Sequence, residues 1–207
     1  MQTESGILLF GGTFDPIHHG HLIIGRSVAE QLGVERIILI PAALPPHKQK
    51  KFFSAPGDRL EMARRAVAGE PRFEVSDCEL ARTGPSYTLD TIRHYRQAYG
   101  PALPLYWLIG SDSLRELHTW HEAGQLVEEC NIVTAARRGF DTVDLAGLAG
   151  KLTPGQVENL KKYLLPTPII EISATEIRQR VARGLPISYL VPPAVAEYIN
   201  RQQLYRQ

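Results

Sequence analysis

The stretch Gly11-Gly12-Thr13-Phe14-Asp15-Pro16-Ile17-His18-His19-Gly20-His21 sets three imidazoles behind a glycine-rich turn. Imidazoles grouped this way can ligate a metal, move protons, or donate N–H groups to phosphate oxygens. A zinc site needs three or four ligands at a recognisable spacing, and neither HExxH nor a cysteine pair accompanies these histidines. The turn is neither GxGxxG nor GxxxxGK[ST], so it carries neither the dinucleotide fingerprint nor the phosphate-cradling P-loop. Gly11 and Gly12 allow a ligand to approach the backbone closely. A helix beginning near His18 places His18 and His21 on one face at i and i+3, with His19 pointing elsewhere. The chemistry that remains is anion holding by imidazole N–H groups and the N–H groups at a helix start. The plain alternative is three surface or capping histidines without a role.

A second place with the same chemistry is Ile172-Ser173-Ala174-Thr175-Glu176-Ile177-Arg178. Ser173 followed three residues later by Glu176 is a capping-box pattern, so a helix opens there with its positive end outward. Arg178, one turn in, offers a planar fork to an anion, or is an ordinary exposed arginine. Asp112, just after a strand ending at Gly110, is either an acceptor for ribose hydroxyls or a helix cap. Lys48 belongs to a run with Lys50 and Lys51 that, on charge pattern alone, reads as a solvated face.

These groups need a frame, and the apolar pattern supplies one. Strand-like runs fall at residues 7–10, 36–40, 73–75, 105–109, 131–135 and 169–172, with helical spacing at 22–32, 58–68 and 89–99. Gly33 suits a helix stop, and Thr153-Pro154 suits a cap followed by proline at the first helical position. Strands that are apolar throughout are buried on both faces, so a mostly parallel α/β sheet with helices on both sides is expected. Ligands of such sheets bind beyond the carboxyl ends of the strands, where the histidine turn lies. Residues 42–56, rich in proline and lysine, read as a mobile lid, and 138–166 as a helical insertion in an otherwise single domain spanning 1–207.

With 207 residues, 43% of them hydrophobic, the chain can bury one sizeable core. Its 23 Lys and Arg nearly balance 22 Asp and Glu, so no broad field draws it to nucleic acid or an anionic membrane. Cys78 and Cys130 show no CxxC spacing and suit a reducing compartment as small buried groups. No basic leader or membrane-length apolar run appears, so a cytoplasmic location is expected. Nothing in the pattern selects a monomer over a homo-oligomer.

His18-His19-Gly20-His21 resembles the (H/T)xGH signature of the nucleotidyltransferase superfamily related to class I aminoacyl-tRNA synthetases, and the longer GGTFDPIHHGH resembles the bacterial nicotinate-nucleotide adenylyltransferases. Segments similar to that family follow in order across almost the whole chain: Pro45-Pro46-His47-Lys48, Ser86-Tyr87-Thr88-Leu89-Asp90-Thr91, Gly110-Ser111-Asp112, Thr119-Trp120-His121 and ISATEIR. Two departures are Ala174, where the family usually has serine, and Ala42-Ala43, which are often polar. The resemblance implies a Rossmann-like, doubly wound fold and transfer of an adenylyl group from ATP, with Mg2+, to nicotinate mononucleotide. It implies that His18, His21, Lys48 and Arg178 act on the phosphates, with His21 nearest the transferring group. It implies that Gly11, Gly12, Thr13, Phe14, Gly110, Asp112, Ser173 and Thr175 hold ATP. Ser86, Tyr87, Thr88, Trp120, His121 and Arg137 are implied contacts of the mononucleotide, and no resident metal ligand is implied. The rival readings are a related adenylyl- or cytidylyltransferase of the same superfamily and a catalytically silent nucleotide-binding module.

Overall fold

The structure, a computed structural model, describes residues 6–44, 53–137, 145–148 and 150–206. The elements alternate as β1 (Ile7–Gly12), α1 (His19–Leu32), β2 (Arg36–Pro41), α2 (Pro56–Ala66), β3 (Phe73–Val75), α3 (Thr88–Tyr99) and β4 (Leu105–Gly110). They continue with α4 (Ser111–Glu116), α5 (Ala123–Glu129), β5 (Asn131–Arg137), α6 (Pro154–Lys162), β6 (Leu164–Thr167), α7 (Ala174–Ala182) and α8 (Pro193–Arg201). The six strands form one sheet in the order β3-β2-β1-β4-β5-β6, every pairing parallel. This is the doubly wound Rossmann order, with its reversal between β1 and β4.

Strand periodicity sorts the core into two layers. Leu9, Ile38, Trp107 and Ile132 face one side, where they meet Leu89 and Ile92 of α3, Leu126 of α5 and Leu160 of α6. Leu8, Ile37, Leu108 and Val133 face the other, against Val28 of α1, Met62 of α2, Ile177 of α7 and Val195 of α8. Both faces are covered, which is why the strands read as unbroken apolar runs.

Local signals set several boundaries. Gly33 closes α1 in the left-handed region, φ 67°, its N–H returned to the last turn. Thr153 caps α6 through a reciprocal pair: its Oγ1 accepts from Gln156 N–H at 3.3 Å and its N–H donates to Gln156 Oε1 at 2.8 Å.

One strand is misplaced by the sequence pattern. The expected strand at 169–172 is irregular, and β6 is instead Leu164–Thr167, paired with β5 from Thr134↔Leu164 to Arg137↔Thr167. Pro166 argues against a strand only in a sheet interior; β6 is an edge strand, where a residue without an N–H is tolerated. The insertion expected at 138–166 therefore contributes a sheet strand, and Leu148, Leu152 and Leu160 join the core. No described helix is long and apolar enough to cross a membrane.

Candidate active site

The carboxyl ends of β1 and β4 open on two cavities that meet along Phe10, Leu108, Ile109 and Gly110. One is walled by Ser86, Tyr87, Thr88, Trp120 and His121, with Glu79 and the Gly11-Gly12-Thr13 backbone. The other is walled by His21 and Ile24 of α1, Asp112 and Arg115 of α4, and Thr167, Pro168 and Ile170. Ile170, read from sequence as part of a strand, thus edges a cavity, while Ile169 is exposed.

The glycines at the end of β1 are required by packing. A Cβ on Gly11 would stand 2.3 Å from Cζ2 of Trp107, and one on Gly12 would stand 2.8 Å from the Phe14 ring. Trp107 is 4% exposed and cannot swing aside. Gly11→Ala is expected to destabilise the protein by about 1–3 kcal/mol, the usual cost of overpacking, read as a lower melting temperature. Phe14 follows with φ 48°, unusual for a bulky side chain and a sign of strain held by its surroundings. Its ring stands edge-on to Phe10 at 5.5 Å and to His21 at 5.0 Å.

His18 is the N-cap of α1, and His21 stacks on it with centroids 3.7 Å apart. His21 Nδ1 accepts the His18 backbone N–H at 3.2 Å, so the ring proton of His21 sits on Nε2, a donor. The first N–H of the helix is committed: His19 donates to the Leu190 carbonyl at 3.0 Å. His18 is 6% exposed, and its Nδ1 makes no hydrogen bond with a described residue. Burial, with His19 adding repulsion, lowers its pKa to about 4, so the ring is neutral at pH 7.

That shift carries a sign. Below the ordinary value of about 6.5 the unfolded chain takes up a proton at His18 that the folded chain refuses, so stability falls as pH drops from about 6.5 toward 4. Thermal melts near pH 7 and pH 5 should differ by about 2 kcal/mol more in the parent than in His18→Asn.

The ISATEIR segment lies against the first turn. Ser173 caps α7, its Oγ accepting from Glu176 N–H at 3.1 Å, as its spacing suggests. Arg178 donates through Nη1 to the Asp15 carbonyl at 2.6 Å and through Nη2 to Thr175 Oγ1 at 3.2 Å. It ties the two helix starts together, with two of its five N–H groups used.

Sequence reasoning missed the struts beneath. Buried Arg59 donates to the carbonyls of Thr13 at 2.8 Å, Ser54 at 3.1 Å and Ala43 at 3.3 Å, drawing three loops to one guanidinium. Asp15 is buried too; its Oδ1 accepts from Tyr205 O–H at 2.6 Å and its Oδ2 from Ser54 N–H at 3.3 Å. No local pattern announces contacts spanning this much of the chain.

In the aromatic-walled cavity, Tyr87 and His121 stack at 4.2 Å and 21°. The Ser86 hydroxyl, expected as a ligand donor, is taken up by the fold: its Oγ accepts from Ala43 N–H at 3.0 Å and Leu44 N–H at 3.2 Å. Thr88 opens α3, whose positive end therefore borders this cavity. Asp112 is exposed at the second position of α4, and Arg137 ends β5. Lys48, with Pro45-Pro46-His47, lies outside the described residues. Among the described residues no group of three His, Cys, Asp or Glu could hold a metal ion.

An all-parallel doubly wound sheet with paired imidazoles at its first turn and twin cavities at the reversal point defines a nucleotidyltransferase-type α/β protein. The model of the cytidylyltransferase-like family matches residues 9–180. A protein of Desulfitobacterium hafniense (strain Y51) named "Probable nicotinate-nucleotide adenylyltransferase" is 40% identical over 96% of this chain and 94% of its own. One of Serratia proteamaculans (strain 568) with the same name is 44% identical over 96% and 94%. The solved Plasmodium falciparum nicotinic acid mononucleotide adenylyltransferase complexed with NaAD superposes with a TM-score of 0.73 at 19% identity, covering 96% of each chain, a likeness of fold. The chain belongs to the nicotinate-nucleotide adenylyltransferase family.

Proposed function

We propose that the protein transfers the adenylyl group of ATP to nicotinate mononucleotide, giving deamido-NAD and pyrophosphate, a step of NAD biosynthesis. The observation that carries this reading is the meeting of two cavities at Gly110, one bordered by His21 and the other by the aromatic wall. A triphosphate nucleotide in the first cavity and a pyridine mononucleotide in the second would bring their phosphates together at the β1–β4 reversal.

The nucleophile is a phosphate oxygen already ionised at neutral pH, so no general base is needed. It forms a bond to the α-phosphorus as the bond to the bridging oxygen breaks and pyrophosphate departs with that electron pair. The protein's task is to align two anions and stabilise charge growing on the α-phosphoryl and the leaving group. The Nε2–H of His21 donates to the α-phosphoryl, and neutral His18 supports that ring from behind. Gly11, Gly12, Thr13 and Phe14 shape the turn where the two cavities meet, with Gly11 to Thr13 on the mononucleotide side and the reacting end of the triphosphate beside them, and Gly110 and Asp112 border the ribose of ATP. Ser173 and Thr175 hold the start of α7 facing it. Arg178 reaches the pyrophosphate with N–H groups not donated to Asp15 and Thr175, and Lys48 adds a point charge. Mg2+ would arrive as part of the ATP substrate, held mainly by the nucleotide and water, and would help neutralise charge on the phosphates.

In the second cavity Trp120 faces the pyridine ring, and the Tyr87–His121 stack closes one wall. The start of α3 at Thr88 favours an anionic carboxylate over a neutral amide. Arg137 is assigned to the mononucleotide phosphate. Neither nucleic acid nor membrane enters this reading. The free thiols Cys78 and Cys130 support a cytoplasmic setting. Pyrophosphate release from ATP is expected with nicotinate mononucleotide and to be slower with its amide analogue. Equal rates would remove the carboxylate-recognition element, and release with CTP but not ATP would favour the cytidylyl reading.

A further inference from the structure

Beneath the aromatic-walled cavity lies an acid that neither the motif pattern nor the reaction accounts for. Glu79, in the turn after β3, is 4% exposed and contributes to the cavity wall. Its Oε1 accepts from the Thr91 hydroxyl of α3 at 2.7 Å. Arg82 Nη2 donates to that same hydroxyl oxygen at 2.7 Å and stands 3.9 Å from the carboxylate. A hydroxyl has one proton and two lone pairs. At Ser86 both lone pairs are engaged, by Ala43 N–H and Leu44 N–H, which leaves its one proton to donate on the cavity wall it shares with Glu79. The Ser86 N–H in turn donates to the Leu44 carbonyl at 3.0 Å. The Glu79 carboxylate thus holds the first turn of α3 and lines the same cavity wall as Ser86, which is itself tied to the exit of β2. Burial pushes the Glu79 pKa upward, and the two hydroxyl donors oppose that push by favouring the charged form.

We propose that Glu79 is a positioning residue of the pyridine pocket. By accepting the hydroxyl protons of Ser86 and Thr91 it locks the Ser86-Tyr87-Thr88 turn to the Ala42–Leu44 exit of β2, fixing the wall that grips the mononucleotide. This rests on the reading that the aromatic-walled cavity takes the mononucleotide and the His21 cavity takes ATP. Glu79 lines the aromatic-walled cavity and not the His21 cavity, so its loss acts on one substrate. Removing the acceptor leaves two buried hydroxyls without their partner and frees the turn.

The test is steady-state kinetics of pyrophosphate release, varying each substrate in turn, on the full chain and on Glu79→Ala, Glu79→Gln and Ser86→Ala. Glu79→Ala is expected to raise KM for nicotinate mononucleotide about 10-fold and leave KM for ATP within about two-fold. Glu79→Gln, which keeps an acceptor oxygen, is expected to recover most of that loss. Partial unfolding alone would lower the active fraction, and so kcat, leaving both KM values in place. Should Glu79→Ala fail to fold, Ser86→Ala carries the test, because it cuts the same link and leaves the acid in place. A one-sided KM change supports the proposal. KM values that move together, or a mononucleotide KM that does not move, overturn it while the parent remains active. A parent chain without turnover on nicotinate mononucleotide overturns the functional reading and, with it, this proposal.

Discussion

Replacing His21 with alanine is expected to lower kcat about 100-fold or more, the scale seen when a preorganised donor to developing charge is removed. The ring is set for this task from three sides. Its Nδ1 is engaged by the His18 backbone, its face rests on the His18 ring, and Phe14 meets it edge-on. These contacts fix the tautomer and hold Nε2–H at the cavity before a ligand arrives, so little reorganisation accompanies the reaction. The interaction strengthens as charge grows on the α-phosphoryl; the loss should therefore fall on kcat more than on KM for ATP. His19→Ala is the matched control, since the backbone N–H that His19 donates to the Leu190 carbonyl survives the substitution, and it should stay within a few-fold of the parent. Pyrophosphate release under saturating substrates measures both, and a His21→Ala enzyme of near-parental kcat would remove the residue from the mechanism.

Arg59→Leu is expected to cost about 3 kcal/mol or more of stability, because three part-buried carbonyls lose their donor at once. For a chain of this length that corresponds to a fall in melting temperature of about 10 °C. The guanidinium is 1% exposed; burial lowers its pKa, and the nearby Asp15 charge works against that shift. A planar fork can reach Thr13, Ala43 and Ser54 together, whereas a lysine ammonium is a compact point donor. Arg59→Lys should therefore recover only part of the loss. Thr13 belongs to the turn proposed to hold phosphate, and Ala43 and Ser54 flank the segment that carries Lys48, so turnover of the folded fraction should fall as well. Calorimetry and kinetics on the two variants test this, and a melting temperature within about 2 °C of the parent for Arg59→Leu would contradict it.

What the sequence makes legible here is what local spacing controls. His18 and His21 could be placed on one face because three residues of helix bring them there. Ser173 could be read as a cap because its partner Glu176 is three residues on, and Thr153 because proline follows it at the first helical position. Gly33 could be read as a stop because it alone relaxes into the left-handed turn. β6 was not legible: Leu164-Leu165-Pro166-Thr167 becomes a strand through its pairing with β5 at the sheet edge, while of the more strand-like Ile169-Ile170 pair the first is exposed and the second lines a cavity. Arg59, Asp15 and Tyr205 carry no pattern at all, because their contacts join segments far apart in the chain. Glu79 was hidden because no motif links it to Thr91, twelve residues on, and the bonds of the Ser86 hydroxyl to Ala43 and Leu44 were hidden because those partners lie more than forty residues away.

The most direct measurement of the central claim is a crystal structure of the protein with a non-hydrolysable ATP analogue and nicotinate mononucleotide. The account predicts an α-phosphoryl oxygen about 3 Å from His21 Nε2, a hydrogen-bond distance. It also predicts the adenosine beside Ile24, Asp112 and Pro168, and the pyridine ring against Trp120. A triphosphate lying away from His21, or the two nucleotides in exchanged cavities, would contradict it.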